Sequence, residues 1–101
     1  MRPLFLPLYT QYFNAYKDGS KTGELRLYGP RWNEKTCTVG REVVLSKGYG
    51  KQARMIGKVC FFAKVYGQHL NPENKKAVQA MYGTLDVLIA FIGIEDLKPH
   101  A

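Results

Sequence analysis

Apolar residues recur along this chain at two different spacings, and each spacing predicts a different element. Between Tyr9 and Tyr16 they fall at i, i+3, i+4 and i+7, which is the stripe of an amphipathic helix, and Gly19 is a suitable place for that helix to end. A second helix is predicted from Asn71 to Tyr82, because asparagine is a good N-cap, proline fits the first turn and a glycine follows the last residue. Two helices are therefore expected.

The remaining apolar segments alternate with polar residues or run without interruption, as strands do. They predict strands over residues 4–6, 22–28, 36–39, 42–46, 53–66 and 84–94. In the strand over 22–28, Leu25 and Leu27 are expected to face the core, and Glu24 and Arg26 the opposite side. Too few helices alternate with strands for a doubly wound sheet. We predict an α+β fold, a small and partly closed β-barrel flanked by two helices, formed by residues 1–101 as a single domain.

The composition is that of a globular domain. The chain has 101 residues, of which 46% are hydrophobic and 23% are charged, and no apolar run approaches the roughly 18 residues of a membrane-spanning helix. Pro3 and Pro7 interrupt the apolar N-terminus, so we expect a cytoplasmic protein without a signal peptide or membrane association. Cys37 and Cys60 lack the spacing of a zinc site, so no metal or cofactor is predicted, and Cys60 is expected in the core or the barrel wall.

Positive charge is concentrated in one part of the chain. Lys and Arg number 15 against 8 Asp and Glu, for a net charge of +7. Residues 31–64 contain eight basic and only two acidic residues, so six of the seven net positive charges lie there. Such a field attracts a polyanion, and the phosphate backbone of RNA or DNA is the commonest polyanion that a cytoplasmic protein meets. Two alternatives are a surface that is basic only for solubility and a regulatory protein whose basic face binds an acidic partner protein.

The densest polar cluster lies at residues 19–26, with the sequence Gly-Ser-Lys-Thr-Gly-Glu-Leu-Arg. Lys21 and Thr22 stand where the chain turns into a strand, and Glu24 and Arg26 project from one face of that strand. If this face lines a groove, an ammonium, a hydroxyl, a carboxylate and a guanidinium converge there. They can pair with one another, bind a base edge or hold a phosphate. A solvated strand face with an ordinary Glu–Arg pair is the alternative.

The pattern G-x-K-x-x-E-x-R, made here by Gly19, Lys21, Glu24 and Arg26, follows an aromatic-rich helix and precedes a β-rich segment. In these features the chain resembles the ASCH domain of the PUA-like superfamily. The resemblance implies a β-barrel whose cleft, between the motif strand and the first helix, accepts RNA or a modified nucleoside or nucleotide. One branch of the family resembles acetylcytidine amidohydrolases, and another comprises single-strand ribonucleases.

The resemblance also implies catalytic roles. As an amidohydrolase, the protein would use Lys21 as the base, Glu24 or Glu73 to shuttle the proton, and Thr22 or a water molecule as the nucleophile. That branch of the family carries Thr at the position held here by Glu24. As a ribonuclease, the protein would use Lys21 and Arg26 to stabilise the phosphorane and a carboxylate to deprotonate the 2′-hydroxyl. A binding role without catalysis requires fewer coincidences.

Further residues extend the predicted nucleic-acid surface. Trp32, beside Arg31, can stack on an unpaired base or close one end of the barrel. The turn that holds Tyr49 lies where ASCH relatives place cleft residues, and Tyr49 between two glycines can serve as a stacking platform or a lid. The nucleic-acid-binding candidates are Lys21, Arg26, Arg31, Trp32, Ser46, Lys47, Tyr49, Lys51 and Arg54.

Overall fold

A computed structural model of the protein describes residues 1–50 and 53–100. The elements in chain order are β1 (Leu4–Leu8), α1 (Thr10–Lys17), β2 (Gly23–Leu27), β3 (Glu42–Lys47), β4 (Arg54–Tyr66), a single 3₁₀ turn (Gly67–His69), α2 (Pro72–Tyr82) and β5 (Leu88–Pro99). The α+β class and the two helices are confirmed. Within the described ranges, neither helix is long and apolar enough to cross a membrane.

The five strands form one curled sheet in the order β1-β3-β4-β5-β2. β1 pairs with β3 in parallel, and the other three pairings are antiparallel. The curl brings the edge strands β1 and β2 towards each other, and side chains bridge the seam between them. Arg26 Nη2 donates to the carbonyl oxygen of Pro7 over 3.1 Å, and Arg31 Nη2 donates to that of Phe5 over 3.3 Å. The sheet is therefore a half-barrel whose seam is closed by guanidinium groups.

Each helix covers a different face of the sheet. α1 and the inner face enclose the larger core, which includes Leu6, Leu45, Val59 and Ile92 from four different strands. α2 covers part of the outer face, where Val78 packs with a second group of apolar residues from β2, β4, β5 and the segment before β5, including Leu25, Val65, Leu85, Ile89 and Phe91. Within β2, Glu24 contacts Tyr16 of α1, and Leu25 packs with the apolar group that contains Val78 of α2.

Local signals explain where the helices begin and end. In α1, Phe13 and Tyr16 are buried, as the apolar stripe predicts, but the stripe is exposed at its start, since the N-cap Tyr9 is 79% exposed and Tyr12 is 39% exposed. In α2, Asn71 Oδ1 accepts a hydrogen bond from the backbone N–H of Asn74 over 2.8 Å. Gly83 ends α2 with φ 74°, in the left-handed region that favours glycine.

Two predicted strands differ from the structure. Residues 36–39 form turns, because Asn33 Oδ1 accepts the backbone N–H groups of Lys35 and Thr36 over 2.8 and 3.1 Å and so replaces a strand ladder with a local turn. The last strand begins at Leu88 rather than at residue 84, since the hydroxyl of Thr84 accepts the N–H of Asp86. It then continues past residue 94 to Pro99.

The predicted faces of β2 were wrong, and Cys60 lies in the barrel wall, in β4, rather than in the core. Glu24, expected on the open face, is 7% exposed, whereas Leu27, expected in the core, is 44% exposed. Cys60 is exposed because it follows buried Val59 and faces the opposite side of β4, whereas the register shift between Val59 and Phe61 leaves Phe61 52% exposed. Cys37 is the fully buried thiol.

Candidate functional site

The buried carboxylate of Glu24 is the centre of the site. Arg26 Nε donates to Oε2 over 2.8 Å, the hydroxyl of Tyr16 donates to Oε1 over 3.2 Å, and Lys21 Nζ lies 3.7 Å from Oε1. These four residues are called the Glu24 cluster below. Three of them are the predicted ammonium, carboxylate and guanidinium, and the structure brings them together.

The turn between α1 and β2 assembles this cluster. Asp18 Oδ1 accepts the N–H of Ser20 over 2.8 Å, and Gly19 has φ 84°, which allows the chain to reverse direction. The N–H of Lys21 then donates to the carbonyl of Ala15 over 3.1 Å. This bond returns the chain along the end of α1, so Lys21 is placed beside the helix immediately before β2 begins.

The Glu24 cluster combines one carboxylate with two cationic groups. Lys21 Nζ lies 5.5 Å from the ring centroids of both Tyr12 and Tyr16, so its ammonium faces two π-systems as well as the carboxylate. Burial, and next the neighbouring charge of Glu24, raise the pKa of Tyr16. Tyr16 therefore remains a protonated phenol and a hydrogen-bond donor to Glu24 at neutral pH.

A cavity of about 320 Å³ opens beside the cluster and is called the cleft below. Its walls are the end of β1, Tyr9 and Tyr12 of the first turn of α1, residues 24–26 of β2, the turn at residues 48–49, and the last two residues of α2. Tyr9 and Tyr49 are 79% and 82% exposed. The cleft thus combines a carboxylate–guanidinium pair with exposed aromatic rings, and its volume is in the lower part of the range of small-molecule sites, about 300–1,000 Å³.

The structure does not bring Thr22 and Glu73 into this site. Thr22 is exposed and is not part of the cleft wall. Glu73 is exposed in the first turn of α2, whereas the opposite end of that helix, at Met81, lines the cleft. Eight residues of helix separate the two positions by about 12 Å. The set of Lys21, Thr22 and Glu73 implied by the resemblance to amidohydrolases is therefore not assembled.

Two of the predicted nucleic-acid-binding residues are buried. Trp32 is 8% exposed and belongs to the larger core, where the guanidinium carbons of Arg26 and Arg31 lie 5.4 and 5.2 Å from its ring centroid. Trp32 is therefore a core residue and its ring is not free to stack on an unpaired base. Ser46 is fully buried, and its hydroxyl donates to the carbonyl of Gly50 over 3.0 Å. Neither side chain is accessible to a ligand.

Other basic residues of the segment 31–64 contact aromatic rings and backbone carbonyls of the protein itself. Lys47 Nζ lies 5.5 Å from the ring centroid of Phe13, and Lys64 Nζ lies over the ring of Tyr28. Arg41 donates to the backbone carbonyls of Arg2 and Thr36. The guanidinium of Arg54 lies over the ring of Phe5 in β1. Lys51 is outside the described residues. No basic residue of this segment is among the described residues that line the cleft.

Sequence reasoning missed Tyr16 and the contribution of α2. Tyr16 lies on the apolar stripe of α1, which predicts core packing, but its hydroxyl also donates to Glu24, so the hydroxyl beside the carboxylate comes from Tyr16 and not from Thr22. Met81 and Tyr82 reach the cleft because α2 packs across β2, a long-range arrangement with no signal in the local sequence. The only clue to Tyr16 was its place on a buried stripe that must face some part of the sheet.

A second cavity of about 430 Å³ lies away from the Glu24 cluster, between β3, β4 and the end of β5. In residues 1–50 and 53–100, no three His, Cys, Asp or Glu side chains come together as metal ligands.

Comparison of the chain with protein-family models, with curated proteins and with solved structures finds no match.

Proposed function

We propose that this protein binds single-stranded RNA, or a modified nucleotide, by enclosing a base in the cleft. The observation that carries the proposal is the hydrogen-bonded pair of Glu24 and Arg26 in the wall of a cavity that exposed tyrosine rings surround. The G-x-K-x-x-E-x-R motif and the curled sheet agree with an ASCH-type domain of the PUA-like superfamily, and we include that assignment in the proposal.

The chemistry of the cleft suits a nucleobase. A carboxylate oxygen accepts from an amino group or ring N–H, and a guanidinium donates to a carbonyl or ring nitrogen, so the pair can meet both kinds of group on a base edge. Tyr9, Tyr12 and Tyr49 supply rings on which an unpaired base can stack. The net charge of +7 attracts the phosphates.

Binding is favoured over hydrolysis because the cleft holds a recognition pair rather than a complete catalytic set. Glu24 already accepts from Tyr16 and Arg26 and lies beside Lys21, which holds its carboxylate in one position. The contact of Lys21 with Glu24 is the observation that favours the second candidate, a hydrolase acting on the same ligand. Incubation with acetylcytidine and with single-stranded RNA separates the two: a binding protein yields no product, and product that Lys21→Ala abolishes would favour the hydrolase.

The test of binding is a titration of a fluorescein-labelled eight-nucleotide RNA, followed by anisotropy at several salt concentrations. If about four phosphates are neutralised, the logarithm of the affinity should fall against the logarithm of the salt concentration with a slope near −3. Tyr9→Ala should weaken binding by about five-fold or more, because stacking contributes about 1–3 kcal/mol per base. Tyr66→Ala is the matched control, since Tyr66 is 51% exposed and does not line the cleft. A flat salt profile, or equal effects of the two variants, would refute the proposal.

A further inference from the structure

A second group of aromatic and cationic side chains surrounds Phe5 of β1. Arg54 has its guanidinium carbon 5.3 Å from the ring centroid of Phe5, and the ring of Tyr49 lies 6.2 Å from the same ring. Arg31 joins the group by donating to the carbonyl of Phe5. Phe5, Arg31, Tyr49 and Arg54 are called the Phe5 cluster below. They come from four separate parts of the chain, and β1 holds them together.

The two guanidinium groups of the Phe5 cluster are not neutralised by the protein. Both ion pairs found within the described part of the chain use Glu24, so neither Arg31 nor Arg54 has a carboxylate within 4.0 Å among those residues. Over the same described residues, Nε of Arg54 is shielded from solvent and has no hydrogen-bond partner. Two arginines without acidic partners, next to an aromatic ring, are the groups that bind a phosphate and its nucleotide.

The Phe5 cluster is continuous with the cleft. Tyr49 belongs to both, because it contacts Phe5 and also lines the cleft. Pro7 lines the cleft too, and it lies two residues from Phe5 on the same face of β1, a distance of about 7 Å. In a nucleic-acid strand whose base fills the cleft and whose backbone passes Tyr49, the next nucleotide would therefore reach the Phe5 cluster.

We propose that the ligand is a strand of at least two nucleotides, and that the Phe5 cluster is its second subsite. Arg31 and Arg54 bind the phosphate that follows the enclosed base, and Tyr49, 82% exposed, carries the neighbouring base on its ring. This inference rests on the proposed function, since it takes single-stranded RNA as the occupant of the cleft. It adds that affinity depends on chain length, which a site for a free nucleotide would not require.

Two probes test the subsite: the four nucleoside 5′-monophosphates, titrated by calorimetry, and the labelled eight-nucleotide RNA. Arg31→Gln and Arg54→Gln should each weaken binding of the RNA by about ten-fold, the equivalent of one lost charge-assisted hydrogen bond. Each should also reduce the salt slope by about 0.7, the share of one phosphate on a single strand. Neither should change the affinity for monophosphates, because Arg31 and Arg54 do not line the cleft. Lys35→Gln, which removes one exposed charge from the same segment, is the control.

The outcomes separate the two proposals. If the RNA binds no more tightly than a monophosphate, or if Arg31→Gln and Arg54→Gln behave like Lys35→Gln, the second subsite is wrong while the cleft remains a nucleotide site. If neither probe binds, the proposed function itself is wrong. Because Arg54 is partly buried, thermal unfolding accompanies each titration. Should Arg54→Gln fail to fold, Arg31→Gln at the exposed position decides the result.

Discussion

Arg26→Lys is expected to destabilise the fold although it conserves the charge. The planar guanidinium of Arg26 reaches two acceptors at once, Glu24 Oε2 over 2.8 Å and the carbonyl of Pro7 over 3.1 Å. A single ammonium on a flexible stem can retain one of them. The loss of one charge-assisted hydrogen bond costs about 2 kcal/mol, towards the lower end of the usual range because a quarter of the side chain is exposed. For a domain of this size that is a fall in Tm of about 8–16 °C.

Urea unfolding, followed by circular dichroism, measures this cost, and Arg31→Lys is the matched control. Arg31 also bridges to β1 and lies on Trp32, but it is exposed and is expected to cost under about 0.5 kcal/mol. In a double-mutant cycle with Glu24→Gln, the two changes should be coupled by more than about 0.5 kcal/mol, since the side chains share a hydrogen bond. A loss no larger than that of Arg31→Lys, or strict additivity with Glu24→Gln, would refute the bridging role of Arg26.

Three further predictions concern stability and reactivity. Burial and a neighbouring carboxylate raise the pKa of Tyr16 in the folded protein. Above about pH 10, Tyr16 therefore ionises in the unfolded chain while it stays protonated in the folded one, and the free energy of unfolding should decrease by about 1.4 kcal/mol per pH unit because of this residue. Tyr16→Phe should remove that part of the decrease in urea titrations at pH 9–11, and an unchanged slope would contradict it. Gly57→Ala should cost about 1–3 kcal/mol in urea unfolding, because the new Cβ would lie 2.7 Å from a backbone carbonyl of β5. Gly29→Ala, with nothing within 4 Å of the new Cβ, is the control, and equal costs would contradict the steric argument. Iodoacetamide should modify Cys60 alone in the native protein and also Cys37 in urea, as counted by mass spectrometry, and native labelling of Cys37 would contradict its burial.

The elements that the sequence predicts well are those whose signals are local. The stripe of α1, the asparagine cap of α2 and the alternation of β4 each depend on neighbours a few residues away, and all three elements are present. The strand expected over residues 36–39 fails for an equally local reason, because the side chain of Asn33 supplies hydrogen bonds that a strand would otherwise need from its partner. The β-propensity of a segment does not account for side-chain hydrogen bonds that compete with the hydrogen bonds between strands.

The candidate site was predictable only in part. The motif spacing places Lys21, Glu24 and Arg26 close together, since residues two apart on a strand share a face, and the contacts agree. The burial of Glu24 follows from α1 packing on the inner face of a curled sheet, and neither the curl nor the contact with Tyr16 is encoded in adjacent residues. The last strand was predicted to end at residue 94, but β5 continues to Pro99 through an irregularity in which Asp96 has φ 56°.

The guanidinium bridges across the seam also bear on how the protein avoids self-association. An edge strand with free backbone groups is a template for strands of other molecules. Along β1, Pro7 has no N–H to offer, and the carbonyls of Phe5 and Pro7 are already occupied by arginines of the same chain. An incoming strand would have to displace two charged side chains to pair there. Loss of Arg26 or Arg31 would therefore be expected to favour intermolecular sheet growth even where the folded monomer survives.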